Sequence, residues 1–248
     1  MVARDIAQNA ESLYGLPGAD FRKPSMSRYV WAEPPSMTAF PIARPGLPFI
    51  WAAGFVTAVF ALLGLQWPAL LGLAATLCIC AFFRDPDRVI PTDEGGVVSP
   101  ADGKVILCET AEHSDVYGGR CLKISIFMTV FNVHVNRMIY DGTVTDVDYH
   151  PGKFFSANLD KASKENERNA LTLEGPGGHR MVVVQIAGLI ARRIVCGLQP
   201  GTTLMRGERF GMICFGSRLD VYLPPESKAE VGVGDKVAAG TSILGYLT

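Results

Sequence analysis

No two of the six cysteines (Cys78, Cys80, Cys108, Cys121, Cys196 and Cys214) form a Cys-x-x-Cys pair, which sets aside zinc-ribbon and thioredoxin chemistry. All six read as free thiols of a reducing compartment, and Cys78 and Cys80 sit inside an apolar run where a thiol acts as a small hydrophobe. No metal site is expected. The chain also lacks a basic stripe or lysine-rich tract, and with a net charge of −1 it is not expected to bind nucleic acid. Charge of either sign is scarce, at 19% of residues against 48% hydrophobic. No lysine stands in a recognisable pyridoxal-attachment motif. A secretory leader is not expected, because the first apolar run starts far from Met1 and no compact basic segment precedes it.

The hydrophobic excess is concentrated in residues 49–83. Phe49–Leu65 and Trp67–Phe83 are each 17 residues without a charge, divided at Gln66-Trp67-Pro68. As helices, each arm is about 25 Å long, at the lower limit for a ~30 Å hydrocarbon core. Two membrane arrangements fit: a hairpin with both ends on one side of a membrane, or a pair of helices dipping into one leaflet; a buried core hairpin of a soluble protein is the alternative to both. Arg44 before the run and Arg84 and Arg88 after it suit two cytoplasmic ends. Before the run, residues 1–45 carry six prolines and no sustained period, and they read as a poorly ordered tail. The expected domains are thus the tail (1–45), a membrane-associated helical hairpin (46–84) and a catalytic domain (85–248).

Short β-branched runs dominate the rest: Gly96–Val98, Lys104–Leu107, Lys123–Val130, Thr143–Val147, Met181–Ile186 and Asp220–Leu223, punctuated by Gly and Pro. This pattern predicts a mainly β (α+β) fold, an antiparallel β domain with few helices, placed around Phe154–Lys164 and Ala187–Val195. A glycine repeat near the C-terminus sets Gly201-x-x-Leu204-x-x-Gly207-x-x-Phe210-Gly211 against Gly234-x-x-Val237-x-x-Gly240-x-x-Ile243-Leu244-Gly245. Its spacing is similar to that of the sandwiched barrel of biotinyl and lipoyl domains. Their attachment lysine is missing, so the likeness is one of architecture.

The segment Arg209-Phe-Gly-Met-Ile-Cys-Phe-Gly-Ser-Arg-Leu-Asp-Val-Tyr-Leu-Pro224 sets Gly216-Ser217 between two strand-like runs. Alone the dipeptide means a turn. The wider segment resembles the self-cleavage site of phosphatidylserine decarboxylases, in their short form. Further stretches agree in order: Phe83–Pro91 with the exit from the membrane segment, Ser99-Pro-Ala-Asp-Gly-Lys-Val105 with an aspartate motif, and Phe127–Arg137 with a histidine motif. Pro151–Phe154, Leu159–Ser163 with Glu165–Asn169, and Gln185–Cys196 also match, so the resemblance covers about residues 40–248.

The resemblance implies a precursor that cuts itself between Gly216 and Ser217 into 1–216 (beta chain) and 217–248 (alpha chain). The Ser217 hydroxyl attacks the Gly216 carbonyl, and glycine, having no Cβ, leaves that attack unhindered. The resulting ester eliminates to dehydroalanine, which hydrolyses to a covalent pyruvoyl group, the expected cofactor. No unmodified side chain stabilises the carbanion left by loss of CO₂, whereas a carbonyl that forms a Schiff base with the substrate amine does. Phosphatidylserine offers an amine and a carboxylate on one carbon, so the implied reaction yields phosphatidylethanolamine and CO₂ in phospholipid biosynthesis.

Histidine suits the proton transfers of both cleavage and turnover. His134 lies in the matching motif, and Asp102 matches the aspartate that orients the base. Longer members carry a second histidine three residues on, assigned to self-cleavage; Arg137 stands there in this chain. Either His134 serves both steps or another group activates Ser217, and Arg137 is free to contact a phosphate or a carboxylate. Expected partners are phosphatidylserine, membrane lipid, and the beta and alpha chains as a heterodimer, with further oligomerisation open. The expected location is the cell membrane, peripheral or hairpin-anchored, with the catalytic domain facing the cytoplasm. Two alternatives remain at this point: a pyruvoyl decarboxylase of another amino acid, and a non-enzymatic membrane-tethered biotinyl/lipoyl-like module.

Overall fold

The fold was taken from a computed structural model that describes residues 29–31, 41–153, 165–188, 193–214 and 217–248. Gly216, the helix expected over 154–164 and most of the 1–45 segment lie outside the described residues.

The apolar run folds as two helices, α1 (Leu47–Leu62) and α2 (Gln66–Phe82). At 16 and 17 residues, each is about 25 Å long. The turn between them falls at Leu63–Leu65, just before the expected Gln66-Trp67-Pro68 divide. Gly64 takes the left-handed conformation there (φ 71°), and Pro68 is tolerated in the first turn of α2, where its N–H would have no helical partner. Between the helices, Thr57 and Thr76 hydroxyls meet at 3.3 Å, and each also bonds back to its own helix. The chain enters and leaves the hairpin at one neck: Ala43 N–H donates to Phe83 O (2.8 Å) and Ile42 bridges to Arg84. No residue of α1 is buried and only Phe82 of α2 is, although neither helix carries a charge.

The body is antiparallel β, as its β-branched runs predict. Its main sheet has eight strands in the order β11 (Thr203–Leu204), β7 (Gly142–His150), β8 (Arg168–Glu174), β9 (Arg180–Ile186), β13 (Ser217–Leu223), β5 (Gly119–Met128), β4 (Gly103–Ser114) and β15 (Lys236–Val237). Two three-stranded sheets accompany it: β10 (Ile194–Cys196), β12 (Arg209–Ile213) and β6 (Val135–Arg137); and β14 (Lys228–Ala229), β16 (Ile243–Tyr246) and β3 (Gly96–Val98). Residues Tyr29–Trp31 (β1) pair with Val89–Pro91 (β2). The main core gathers Val105, Ile124, Ile126, Leu171, Val183, Leu219 and Val221, all fully buried. One expectation is corrected: part of the Ala187–Val195 segment is not helical, because β-branched Ile194 and Val195 pair with Ile213 and Met212 in β10.

The glycine repeat has a structural counterpart. Gly201 and Gly207, and likewise Gly234 and Gly240, have positive φ, and each pair flanks a two-residue strand, β11 in the first copy and β15 in the second. Gly207 and Gly240 approach each other against Ile90, and a Cβ on either would press into that side chain. Here only glycine satisfies both the backbone conformation and the close packing.

β13 lies at the centre of the main sheet, between β5 and β9, with all seven residues buried. The segment from Ser217 onward also supplies β15 beside β4 and β16 beside β3. It is therefore woven through two sheets of the preceding chain.

Candidate active site

Ser217 opens β13. It is fully buried and stands opposite Met128 at the end of β5, and its hydroxyl donates to Met128 Sδ at 3.3 Å. Strand alternation places Ser217 on the same face as Leu219, Val221 and Leu223, the face turned to the main core.

The opposite face is polar. Arg218 is fully buried: its Nε donates to Asp220 Oδ1 (2.5 Å) and its Nη2 to Ser125 Oγ (2.9 Å). Lys123 Nζ lies 3.5 Å from Asp220 and the Tyr222 hydroxyl donates to the same carboxylate. Burial, and then the Asp220 charge, raise the Tyr222 phenol far above its ordinary value, so it stays a neutral donor. Arg218, Asp220 and Tyr222 thus form a satisfied cluster beneath the strand that begins with Ser217.

His134 follows β5 and its connecting turn and directly precedes β6. It is fully buried, and neither ring nitrogen has a hydrogen-bond partner among the described residues. Burial lowers its pKa to about 4; the nearby backbone of Asn132 opposes this, Arg84 adds to it, and Asp102 opposes it more weakly. The ring is therefore neutral at pH 7. Against it packs the Phe82 ring, 4.1 Å away between centroids, so the last residue of the apolar hairpin covers the imidazole. The His134 carbonyl accepts a hydrogen bond from Ile213 N–H (3.4 Å) on β12, the strand that leads toward Gly216.

Asp102 is held by Arg88 through both carboxylate oxygens (3.0 and 2.8 Å) and by the Ala239 N–H (2.8 Å). Among the described residues its hydrogen bonds run to these groups and not to His134, which it reaches only through space. Arg137 is buried too. It donates to Gly207 O (2.9 Å), Pro86 O (3.1 Å) and Asp85 (3.4 Å), so the carboxylate it contacts is the protein's own. Arg209 of β12 reaches Asp85 (2.8 Å) and Asp87 (3.1 Å). The Arg84-Asp-Pro-Asp-Arg88 segment is thereby bolted to β6, β12 and the Asp102 loop.

Several of these groups were missed by sequence reasoning: Phe82, Met128, Arg88, and the buried row Asn169–Gln185–Asn136. In that row Asn169 donates to Gln185 (3.1 Å) and Gln185 to Asn136 (2.8 Å). Pairing register sets Gln185 opposite both Leu219 and Asn169, hence on the Ser217 face of the sheet. Asn169 and Gln185 lie in motifs singled out from the sequence, but their partnership needs the strand order. At the hairpin neck a cavity of about 740 Å³ opens between residues 41–45 and the β12–β6 sheet, lined among others by Arg44, Asp85, Val135, Arg209 and Met212.

The family model described as phosphatidylserine decarboxylase matches residues 75–245. Relatives named phosphatidylserine decarboxylase proenzyme include one from Syntrophus aciditrophicus, 55% identical over 206 residues that cover 82% of this chain and 96% of the relative. Another, from Geotalea uraniireducens, is 53% identical over 207 residues, covering 84% and 97%. A third, from Desulfotalea psychrophila, is 48% identical over 207 residues, covering 84% and 97%. These matches make the chain a carboxy-lyase and remove the reading as a non-enzymatic module. Within that class it belongs to the phosphatidylserine decarboxylase family.

Proposed function

We propose that this chain is a proenzyme that cuts itself between Gly216 and Ser217, and that the product decarboxylates phosphatidylserine to phosphatidylethanolamine at a membrane. The observation that carries this reading is the position of Ser217. A serine hydroxyl is fully buried at the head of the central strand, beside a sulfur, with two further strands of its fragment, β15 and β16, paired to the preceding chain. Cleavage just before β13 leaves both pieces sharing one core, so the new terminus stays where the hydroxyl was.

In the self-cleavage step the Ser217 oxygen forms a bond to the preceding carbonyl carbon as that carbon's bond to nitrogen breaks. The Ser217 Cα proton and the ester oxygen are then lost, releasing the 1–216 carboxylate. Water converts the remaining dehydroalanine to the ketone with loss of ammonia. His134, neutral and with neither nitrogen hydrogen-bonded among the described residues, is our candidate to accept a proton, and the same ring can return one later. Asp102, held in place by Arg88, acts on it through space, favouring the imidazolium without a direct bond.

The site fits a pyruvoyl group made from Ser217: the position is buried and walled by Met128 and the core face, which shields a reactive carbonyl from bulk solvent. Such a group supplies the electron sink that loss of CO₂ requires. The chain's own residues then hold the substrate: the apolar hairpin keeps the protein on the lipid, and the cavity at its neck, whose wall carries Arg44 and Arg209 beside Asp85 and Asp87, offers a charged headgroup a place against Val135, the residue after His134. A soluble amino acid would give no reason for the hairpin.

Intact-mass analysis of the purified protein tests the reading. Two chains are expected, the smaller of 32 residues (217–248) with a blocked, carbonyl-bearing N-terminus. Active protein recovered as one unbroken, hydrazide-unreactive chain would end it.

A further inference from the structure

Between Met128 and His134 the chain makes one tight turn. Asn132 N–H donates to Thr129 O (3.0 Å), and the Asn132 side-chain oxygen accepts from both the N–H and the hydroxyl of Thr129 (2.8 Å each). This closes the turn firmly from both sides. Its two corner positions are where polar residues and glycine are the rule, because they face water. Here they are Val130 and Phe131, and Phe131 is 83% exposed, the most exposed large hydrophobic residue of the described β body.

The turn is also fixed in place. Arg84, two residues beyond α2, donates one guanidinium nitrogen to Phe131 O (2.6 Å) and the other to Ala81 O in the last turn of the hairpin (2.6 Å). The exposed corner is thereby tied to the neck from which the uncovered apolar helices project. Its two feet are Met128, which holds the Ser217 hydroxyl, and His134.

From this geometry we infer that Val130 and Phe131 are a second lipid-contacting point, which enters the same membrane surface as the hairpin and presses the Met128–His134 turn against it. The occupant is a lipid surface because the corner is continuous with the apolar hairpin through Arg84, and because a rigid turn that displays valine and phenylalanine gains nothing in water. Two attachment points, the hairpin and this turn, fix the tilt of the body on the membrane where one would not. The inference rests on the hairpin lying in a membrane.

The test places one fluorescent reporter at the corner. Trp31, Trp51 and Trp67 are replaced by Phe in the full chain and Phe131→Trp is added. The chain is mixed with substrate-free vesicles of phosphatidylcholine and phosphatidylglycerol whose acyl chains carry bromine. Flotation of the same sample reports whether the hairpin binds. Expected are flotation, a blue shift of the emission, and quenching by the brominated chains. Phe131→Asp in the otherwise native chain should weaken vesicle partitioning about tenfold, part of a phenylalanine's transfer free energy. Flotation with an unshifted, unquenched emission overturns the inference while leaving the hairpin's role intact. No flotation overturns both. A blue shift that needs no vesicles and grows with protein concentration overturns it in favour of a contact between two copies of the chain.

Discussion

The hairpin and the central strand β13 invert the usual link between composition and burial. The hairpin has no charged residue over 49–83, yet Trp51, Phe55, Leu62, Trp67 and Leu71 are each more than two-thirds exposed. β13 has two charged residues in seven, and every one of the seven is buried. What differs is the partner. Each charge of β13 finds a counter-charge or hydroxyl within the sheet, so its desolvation is offset. The apolar helices meet only one another and need an apolar phase outside the protein. Composition states what a segment must be offered, and the surroundings decide whether it is offered it.

Breaking β13 at its first residue should have the largest effect. Ser217→Ala is expected to give a single uncut chain with no detectable decarboxylation, read by intact mass and CO₂ release; full activity in that variant would remove the mechanism. Next, deleting residues 49–81 while keeping Phe82 and Phe83, which are buried in the body, should move the protein out of the membrane fraction and leave self-cleavage in place. If the body then fails to cleave, the two regions are less separable than the comparison holds.

Asp220→Ala strips the counter-charge from buried Arg218 and should destabilise the fold by about 3–5 kcal/mol in denaturant titration. A loss as small as that of a surface ion pair would mean that the cluster is not sealed. His134 gives a pH-dependent counterpart. Its folded pKa, about 4, lies below the ordinary value of 6.5, so the unfolded chain takes up the proton first on acidification. Its contribution to stability is full above about pH 6.5 and lost as pH falls toward 4, a change of roughly 3 kcal/mol that His134→Gln should abolish. The smallest effect is expected from Phe82→Leu, which should cost about 1 kcal/mol and move the His134 titration, followed by NMR, upward toward 6.5. An unmoved titration would show that the hairpin does not desolvate the ring.

Much of this molecule was legible in the chain. An uncharged run with a central break can scarcely be anything but paired apolar helices, and β-branched runs between glycines read as strands because both signals are local. The Gln66-Trp67-Pro68 divide falls slightly late of the turn itself, because the missing N–H of Pro68 costs nothing in a first helical turn and the helix starts before it. Ile194–Val195 read as part of a helix because their strand exists only through pairing with β12. In the candidate site, Ser217, His134 and Asp102 stood out by motif, but Phe82 over His134 and Arg88 on Asp102 did not, since no periodicity links a helix end to a loop histidine.

By itself, then, the sequence determined which segments are apolar, where glycine alone can turn the chain, and which residues are chemically able to act, because these are properties of single residues and their near neighbours. Tertiary structure decided that Ser217 heads the innermost strand, that His134 is dry and uncharged, that Asp102 answers to Arg88, and that a turn bearing phenylalanine stands beside the hairpin neck. Each of these depends on which distant groups share a space from which water is shut out, and only strand order and packing settle that.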